Sequence, residues 1–291
     1  MNILIIGASG QLGSALKRSL NTFKLTCLKK NELSLEKLAS IKKAFNEIKP
    51  DIVINCAAYT NVDMAEKEKE IANNVNHQYL KGLVTCCNEI KATLIHFSTD
   101  YVFSGNQSSP YTEQDQGNPI NVYGRTKLDG DLYIIDNARK YFIFRVSWLY
   151  SHSHKSFFQT MLKLTSKQSV FNIVNNQFGR PTSANHLSSF IKHIIDNRFY
   201  KKNFGLYNFS ANGPIISWFG FAQYIFKQAY NMGYISERPM VKKLQNYEYK
   251  AQRPSYSVLS NTVTQRVFQF RIQDWRTSTK NEIASFYNLE E

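Results

Sequence analysis

The sequence predicts an α/β protein built on a doubly wound parallel sheet, with a smaller C-terminal α/β region. Three observations carry that prediction. Short, wholly apolar runs alternate with segments of helical periodicity through the first half of the chain, the pattern of strands buried on both faces by crossover helices. The first run ends directly in Gly7-Ala-Ser-Gly10-Gln-Leu-Gly13, which opens a helix. With 291 residues, 43% of them hydrophobic and 20% charged, the chain can bury one large core or two joined ones.

Asn2–Ile6 is a short apolar run ending in glycine, hence a buried strand. Gln11–Leu20 follows with helical spacing through Leu12, Ala15, Leu16 and Leu20. Leu25–Leu28 is a second strand. Leu35–Ile48 repeats Leu35, Leu38, Ile41, Ala44, Phe45 and Ile48 on one helical face, with Ser34 as its N-cap. Pro50-Asp51 stops that helix before the strand Ile52–Cys56. A polar helical stretch covers Met64 to Glu89, and Thr93–Phe97 is the fourth strand. Ser104–Pro119 is rich in Ser, Gly, Gln and Pro, so it is a loop. The helix carrying Tyr123 follows, then the strand Phe142–Arg145. After Ser147 the pieces are shorter, more aromatic and broken by Pro181, Pro214, Pro239 and Pro254, which marks a smaller second region. Val170–Val174 and His186–Ile195 are expected to return to the first sheet.

Charge and cysteines narrow the setting. Lys and Arg number 36 against 22 Asp and Glu, a net charge of +14. That balance favours an anionic partner, but the lysines are scattered without a run of like charge. A solvated basic surface therefore accounts for them, and no nucleic-acid-binding module is present. Cys27 and Cys56 sit in apolar runs as small core residues, and the adjacent Cys86-Cys87 cannot bridge each other without strain. A reducing, cytoplasmic compartment fits them. The N-terminus enters a strand at once, without the pattern of a signal peptide. No apolar stretch reaches the roughly 18 residues of a membrane span, so no membrane partner is expected.

The glycine turn makes the sheet Rossmann-like. Gly7, Gly10 and Gly13 let the backbone turn sharply and approach a pyrophosphate, with Gln11 and Leu12 at the helix N-terminus supplying N–H donors. At the end of the second strand an acid would grip the adenosine ribose and a base would accept a 2′-phosphate. Lys29 and Lys30 stand there, with no acid before Glu32. NADPH is therefore the expected cofactor, with NADH as the alternative.

Tyr123 and Lys127 are four residues apart, one turn along the same helix face. A free tyrosine holds its proton up to a pKa near ~10, and a neighbouring ammonium lowers that value, making the hydroxyl a usable general acid. Thr99, at the C-terminal end of the fourth strand, can hydrogen-bond a substrate carbonyl; Ser98 beside it is the weaker candidate. Together these residues point to hydride chemistry on an oxygenated carbon beside a nicotinamide.

In this order the three elements resemble the extended short-chain dehydrogenase/reductase family. Cys56-Ala-Ala-Tyr-Thr-Asn-Val-Asp63, Ser98-Thr-Asp-Tyr-Val-Phe103, Asn118-Pro-Ile-Asn-Val-Tyr-Gly-Arg-Thr-Lys127, Arg145-Val-Ser-Trp-Leu-Tyr150, Asn176-Gln-Phe-Gly-Arg-Pro-Thr182 and Arg253-Pro-Ser-Tyr-Ser257 are similar to its dTDP-4-dehydrorhamnose reductases over essentially the whole chain. The resemblance implies reduction of the C4 ketone of a dTDP-linked 4-keto-6-deoxysugar to dTDP-L-rhamnose, for surface polysaccharide. It implies Thr99, Tyr123 and Lys127 as the catalytic trio, and Ala57, Ala58 and Tyr59 on the nicotinamide side. Thr60, Val62, Asp100, Tyr101 and Trp148 would meet the sugar or its nucleotide, and Arg253 the diphosphate, with a structural salt bridge as the competing role. By the same likeness, 1–147 is a dinucleotide-binding domain to which 168–175 and 184–212 return. The segments 148–167 and 213–291 form the sugar-nucleotide region.

Departures from the family pattern bear on the expectations. Ala15 stands where some members carry a magnesium-linked Glu, so no metal is expected. Asn176 replaces an Asp, Asp131 a Glu and Ser34 an acid. A sugar 4,6-dehydratase would need Glu after the Asp, where this chain has Tyr101, and an epimerase-reductase would need a cysteine beyond Cys87. A reductase of another nucleotide-linked 4-keto-6-deoxysugar and a non-catalytic regulatory subunit of the same fold are the remaining alternatives. The trio argues against the second. Oligomeric state is open, a homodimer included.

Overall fold

The computed structural model describes residues 1–29, 32–167, 169–244 and 247–288. Its centre is a parallel sheet of six strands: β1 (Asn2–Ile6), β2 (Lys24–Leu28), β3 (Ile52–Asn55), β4 (Thr93–Thr99), β5 (Tyr141–Val146) and, from late in the chain, β10 (Gly205–Phe209). The spatial order is β10-β5-β4-β3-β1-β2. The chain therefore leaves β1 toward β2 on one side and returns to β3 on the other. That reversal opens a crevice beyond the carboxyl ends of β1 and β3, where ligands bind in open α/β sheets.

Alternation along β1 divides the core. Ile3 and Ile5 face one layer, with α1 (Gln11–Ser19), α8 (Ala184–Asp196) and Phe268 at the end of α10 (Thr262–Phe268). Leu4 and Ile6 face the other, with α2 (Leu38–Ile48), α5 (Tyr79–Ile90) and Ile134 of α6 (Val122–Asn137). Each such fully buried aliphatic or aromatic side chain contributes about 1.5–3 kcal/mol. A separate core joins α7 (Phe157–Leu164), α9 (Trp218–Asn231) and α11 (Trp275–Tyr287) around Phe158, Phe221, Phe226 and Trp275. Three two-stranded ladders complete the second region: β6 (Leu149–Tyr150) with β9 (Thr182–Ser183), β8 (Phe178–Gly179) with β11 (Ile216–Ser217), and β7 (Val170–Val174) with β12 (Met240–Leu244). No helix among the described residues is long and apolar enough to cross a membrane.

Several expectations need correction. Val170–Val174 does not return to the main sheet; it pairs in parallel with Met240–Leu244, and Phe171 packs on Phe226. Residues 184–212 do return, through α8 and β10. The second helix starts at Leu38, and Ser34 caps nothing. Ser34 begins a turn in which its carbonyl accepts from Lys37, while Leu33 and Leu35 still pack on the same core. That continued burial is why the apolar spacing extends upstream of the helix itself.

The stretch from Met64 to Glu89 is four pieces: α3 (Val62–Ala65), α4 (Lys69–Asn73), a π-helical turn Asn74–Gln78, and α5. The π turn carries the buried Asn76. Its amide oxygen accepts from Tyr59 N at 2.8 Å, and its amide nitrogen donates to the Tyr59 carbonyl and to Thr126 Oγ1, both at 3.1 Å. Those bonds tie the segment after β3 to α6.

Candidate active site

A cleft of about 780 Å³ opens at the carboxyl ends of β1, β3 and β4 and extends under α7 and α9. At one end lies the glycine turn. Gly7 has φ +77, and a Cβ at Gly13 would stand 2.3 Å from the Gly7 carbonyl oxygen. Only bare backbone lets α1 start this close to β1. No side chain caps α1, and its first turn holds no acid. A polar, uncapped helix start beside a glycine cradle suits an anionic pyrophosphate. Gln11 spans the cleft floor: its amide donates to the Leu149 carbonyl at 3.0 Å and accepts from Ser151 at 3.2 Å.

The trio meets in the middle of the cleft. Asn121 caps α6 by accepting from Gly124 N at 2.8 Å, which fixes the helix start and places Tyr123 in its first turn. Tyr123 lines the cleft beside Thr99, whose hydroxyl donates to Asp100 Oδ1 at 3.2 Å, and its ring meets Tyr101 edge-on at 5.7 Å. Ser98 is turned the other way, donating to the buried carboxylate of Asp131. The two hydroxyls at the end of β4 are thus separated by strand alternation, Thr99 into the cleft and the Ser98 side chain toward Asp131 behind it.

Electrostatics depart from the expected pairing. Lys127 is buried and donates to the Phe97 carbonyl at 2.7 Å, with His96 Nε2 at 3.0 Å. Lys127 is not among the groups that lower Tyr123. Burial pushes the phenol up, with Thr99 the main group acting against the shift. Burial also pushes Lys127 down to about 8, with Asp131 acting against the shift. Asp100, buried beside Thr99, is pushed up to about 7 by that burial, with Ser257 and Thr99 acting against the shift.

Most of the remaining candidates gather here. Gly10, Gln11, Leu12, Ala57, Ala58 and Thr60 line the cleft, as do Val62, Asp100, Tyr101 and Trp148. Tyr59 does not: its hydroxyl bonds Glu68 at 2.6 Å. Lys29 is exposed at the end of β2, away from the cleft, and its N–H donates to Glu32 at 2.7 Å, so an acid does fold back to that strand end. Lys30 lies outside the described residues. Arg253 pairs with Asp63 at 2.7 Å and stacks on Tyr249 in a neighbouring pocket that shares Tyr101, Phe157 and Trp218 with the cleft. That is the salt bridge named as its competing role.

The site also holds residues the sequence did not single out. Trp218 stacks on Trp148 at 3.6 Å and 6°, with Phe157 at 4.6 Å. Its only local signal is the aromatic run after the cap Ser217. His154 bridges the 151–156 loop to the Ser9 carbonyl at 3.1 Å. Neither contact leaves a period in the sequence.

The model of the RmlD substrate binding domain family matches residues 1–288. The dTDP-4-dehydrorhamnose reductase of Salmonella typhimurium is 33% identical over 99% of this chain and 98% of its own length. The chain belongs to the dTDP-4-dehydrorhamnose reductase family. Among solved members, the Clostridium acetobutylicum protein superposes with a TM-score of 0.91 at 33% identity, covering 99% of this chain and 100% of its own. The Bacillus anthracis member, solved in complex with NADP, gives 0.89 at 31% identity over 97% and 98%. The agreement over whole chains places both cores of this protein within the reductase family's architecture.

Proposed function

We propose that this protein reduces the C4 ketone of dTDP-4-dehydro-L-rhamnose to dTDP-L-rhamnose, using NADPH and a proton from Tyr123. One observation carries the proposal: Tyr123, Thr99 and Lys127 stand in one cleft with the uncapped glycine turn. The cradle fits a dinucleotide, because Gly10 meets the cleft without a side chain at a helix start that has no side-chain cap and no acid in its first turn. The NADP-bound relative supports the choice of cofactor. When bound, the nicotinamide supplies the hydride that C4 requires.

Everything else is done by side chains of this chain. Gly7, Gly10, Gly13, Gln11 and Leu12 receive the diphosphate, with Ala57 and Ala58 along the nicotinamide side. Thr99 orients the ketone oxygen. Tyr123 donates its proton to that oxygen as negative charge develops there, and Lys127, one turn along the helix, is placed to hold the nicotinamide ribose. Trp148, backed by Trp218, offers an aromatic face to the C–H face and methyl of the deoxysugar. Residues 1–147 and 184–212 would then hold the cofactor, while 148–167, β7 and 213–291 hold the sugar nucleotide.

The test is NADPH oxidation followed by absorbance with dTDP- and UDP-linked 4-keto sugars, with product identification by NMR. Turnover of the dTDP substrate to the rhamnose epimer, abolished in Tyr123→Phe with NADPH binding intact, is the expected result. Turnover by Tyr123→Phe at the wild-type rate overturns the proton assignment, and preference for the UDP sugar overturns the substrate. A lower KM for NADH would transfer the strand-end role from Lys29 to Glu32.

A further inference from the structure

Behind Thr99 and Tyr123, three buried polar side chains form a chain whose donors and acceptors follow from one backbone hydrogen bond. Asn55, at the end of β3, is 2% exposed, and His96 on β4 and Lys127 are each 1% exposed. Asn55 Oδ1 accepts from Ala57 N at 3.1 Å. A backbone N–H can only donate, so this bond fixes which end of the amide is oxygen. Asn55 Nδ2 therefore faces His96 Nδ1, at 3.1 Å, and donates to it. A ring nitrogen that accepts carries no proton, so the neutral imidazole keeps its proton on Nε2. Nε2 lies 3.0 Å from Lys127 Nζ. For that contact to be a hydrogen bond, Nζ must offer a lone pair, which an amine has and an ammonium lacks. The second Lys127 bond, to the Phe97 carbonyl at 2.7 Å, is satisfied by either form.

We infer that Asn55 and His96 form a tautomer lock on Lys127, holding the neutral amine by its lone pair and turning the ammonium out toward Tyr123. Protonation sets two N–H donors against each other across the His96 contact. Asn55 cannot flip to relieve them without stranding the Ala57 N–H, which would cost about 1–3 kcal/mol. One proton passes from solvent to the Nζ lone pair, and nothing is oxidised or reduced. The ionisable groups around Lys127 are few. Tyr123 and Asp131 lie on its own helix, His96 on β4, Asp100 and Tyr101 in the turn after β4, and Cys56 beside Asn55. Of these, Asp131 is the anion drawing the proton on, while burial lowers both Lys127 and His96 and favours the neutral pair. His96 is thus a positioning residue, acting through Lys127. Its catalytic consequence rests on the hydride-transfer reading above; the lock itself does not.

The experiment uses the full chain labelled with 15N-histidine and 13Cε-lysine. Long-range 15N correlation at neutral pH is expected to find His96 protonated on Nε2. In Asn55→Asp one carboxylate oxygen still serves Ala57 N, and the other accepts from Nδ1. His96 should switch to the Nδ1–H form, and the Lys127 titration midpoint should rise by about one pH unit or more, a tenfold change in acidity. Nδ1–H in the wild type overturns the lock. So does a midpoint that rises without the tautomer switch, which would be the charge of the new carboxylate alone. If Asn55→Asp does not fold, the wild-type tautomer decides. Neither readout needs a sugar substrate, so a correct tautomer in a protein that turns over no ketosugar refutes the reductase reading and leaves the lock standing.

Discussion

Gly124→Ala is the most informative single substitution in the catalytic helix. Gly124 lies between Tyr123 and Lys127, in the first turn of α6, against the turn that follows β4. A Cβ there would stand 2.1 Å from the Tyr101 carbonyl oxygen, 2.9 Å from its carbon and 3.0 Å from Pro119 Cβ. A relaxed C···O contact is about 3.3 Å, so α6 must retreat by roughly 1 Å. The obstacle is backbone, and no rotamer change removes it. Two effects oppose each other in stability. Ala gains about 1 kcal/mol of helix propensity over Gly, while overpacking costs about 1–3 kcal/mol, leaving a net loss of about 0–2 kcal/mol. Catalysis has no such compensation, because the retreat separates Tyr123 from Thr99. A displacement of that size costs about 100-fold in turnover. Stopped-flow NADPH oxidation for kcat, with urea unfolding for stability, measures both. A folded Gly124→Ala variant with undiminished kcat would refute the claim that the Thr99–Tyr123 contact sets the rate.

Four further outcomes are expected. Gly13→Ala, whose Cβ would meet the Gly7 carbonyl oxygen at 2.3 Å, should weaken NADPH binding in a fluorescence titration by about 10-fold or more; unchanged affinity would mean the turn is not the cofactor cradle. Asp100 has a folded pKa raised from 3.8 to about 7 by burial, so its neutral form stabilises the fold below pH ~4 and that contribution is lost as pH rises through about 7. Asp100→Asn should therefore gain on the wild type, by of order 2–4 kcal/mol at most, as urea unfolding is moved from about pH 4 to about pH 8; a gap independent of pH would be the contrary result. Asp131→Asn replaces the buried acid that accepts from Ser98 and acts on both Lys127 and Arg145 and should cost about 1–3 kcal/mol by urea unfolding, whereas a neutral effect would show that those groups do not depend on it. Trp218→Ala strips the 3.6 Å stack from Trp148 and should raise KM for the sugar nucleotide up to about 10-fold, without changing NADPH affinity.

Local patterns carried much of the fold and part of the site. β1, its glycine turn and α1 are contiguous, so apolar run, turn chemistry and helical spacing all lie within 20 residues. The spacing of Tyr123 and Lys127 is likewise a property of one helix. By contrast, the apolar spacing before Leu38 suggested a longer helix, because a turn and a helix can bury side chains against the same core. The segment Val170–Val174 has the composition of a buried strand, and only its partner Met240–Leu244, some 70 residues on, decides which sheet it joins.

What the sequence by itself determined is the doubly wound parallel sheet, the glycine cradle after β1, and the order in which Thr99, Tyr123 and Lys127 arrive at its carboxyl edge. Tertiary structure alone decided what each of them faces. Lys127 turns to His96 and Phe97 O rather than holding down the Tyr123 pKa. Glu32 folds back to the Lys29 N–H, Arg253 is drawn to Asp63, and Trp218 comes to lie on Trp148. The physical reason is that hydrophobic period and turn chemistry are encoded between near neighbours. Hydrogen-bond direction and desolvation depend on which distant groups share a buried space, and only the folded chain brings those groups together.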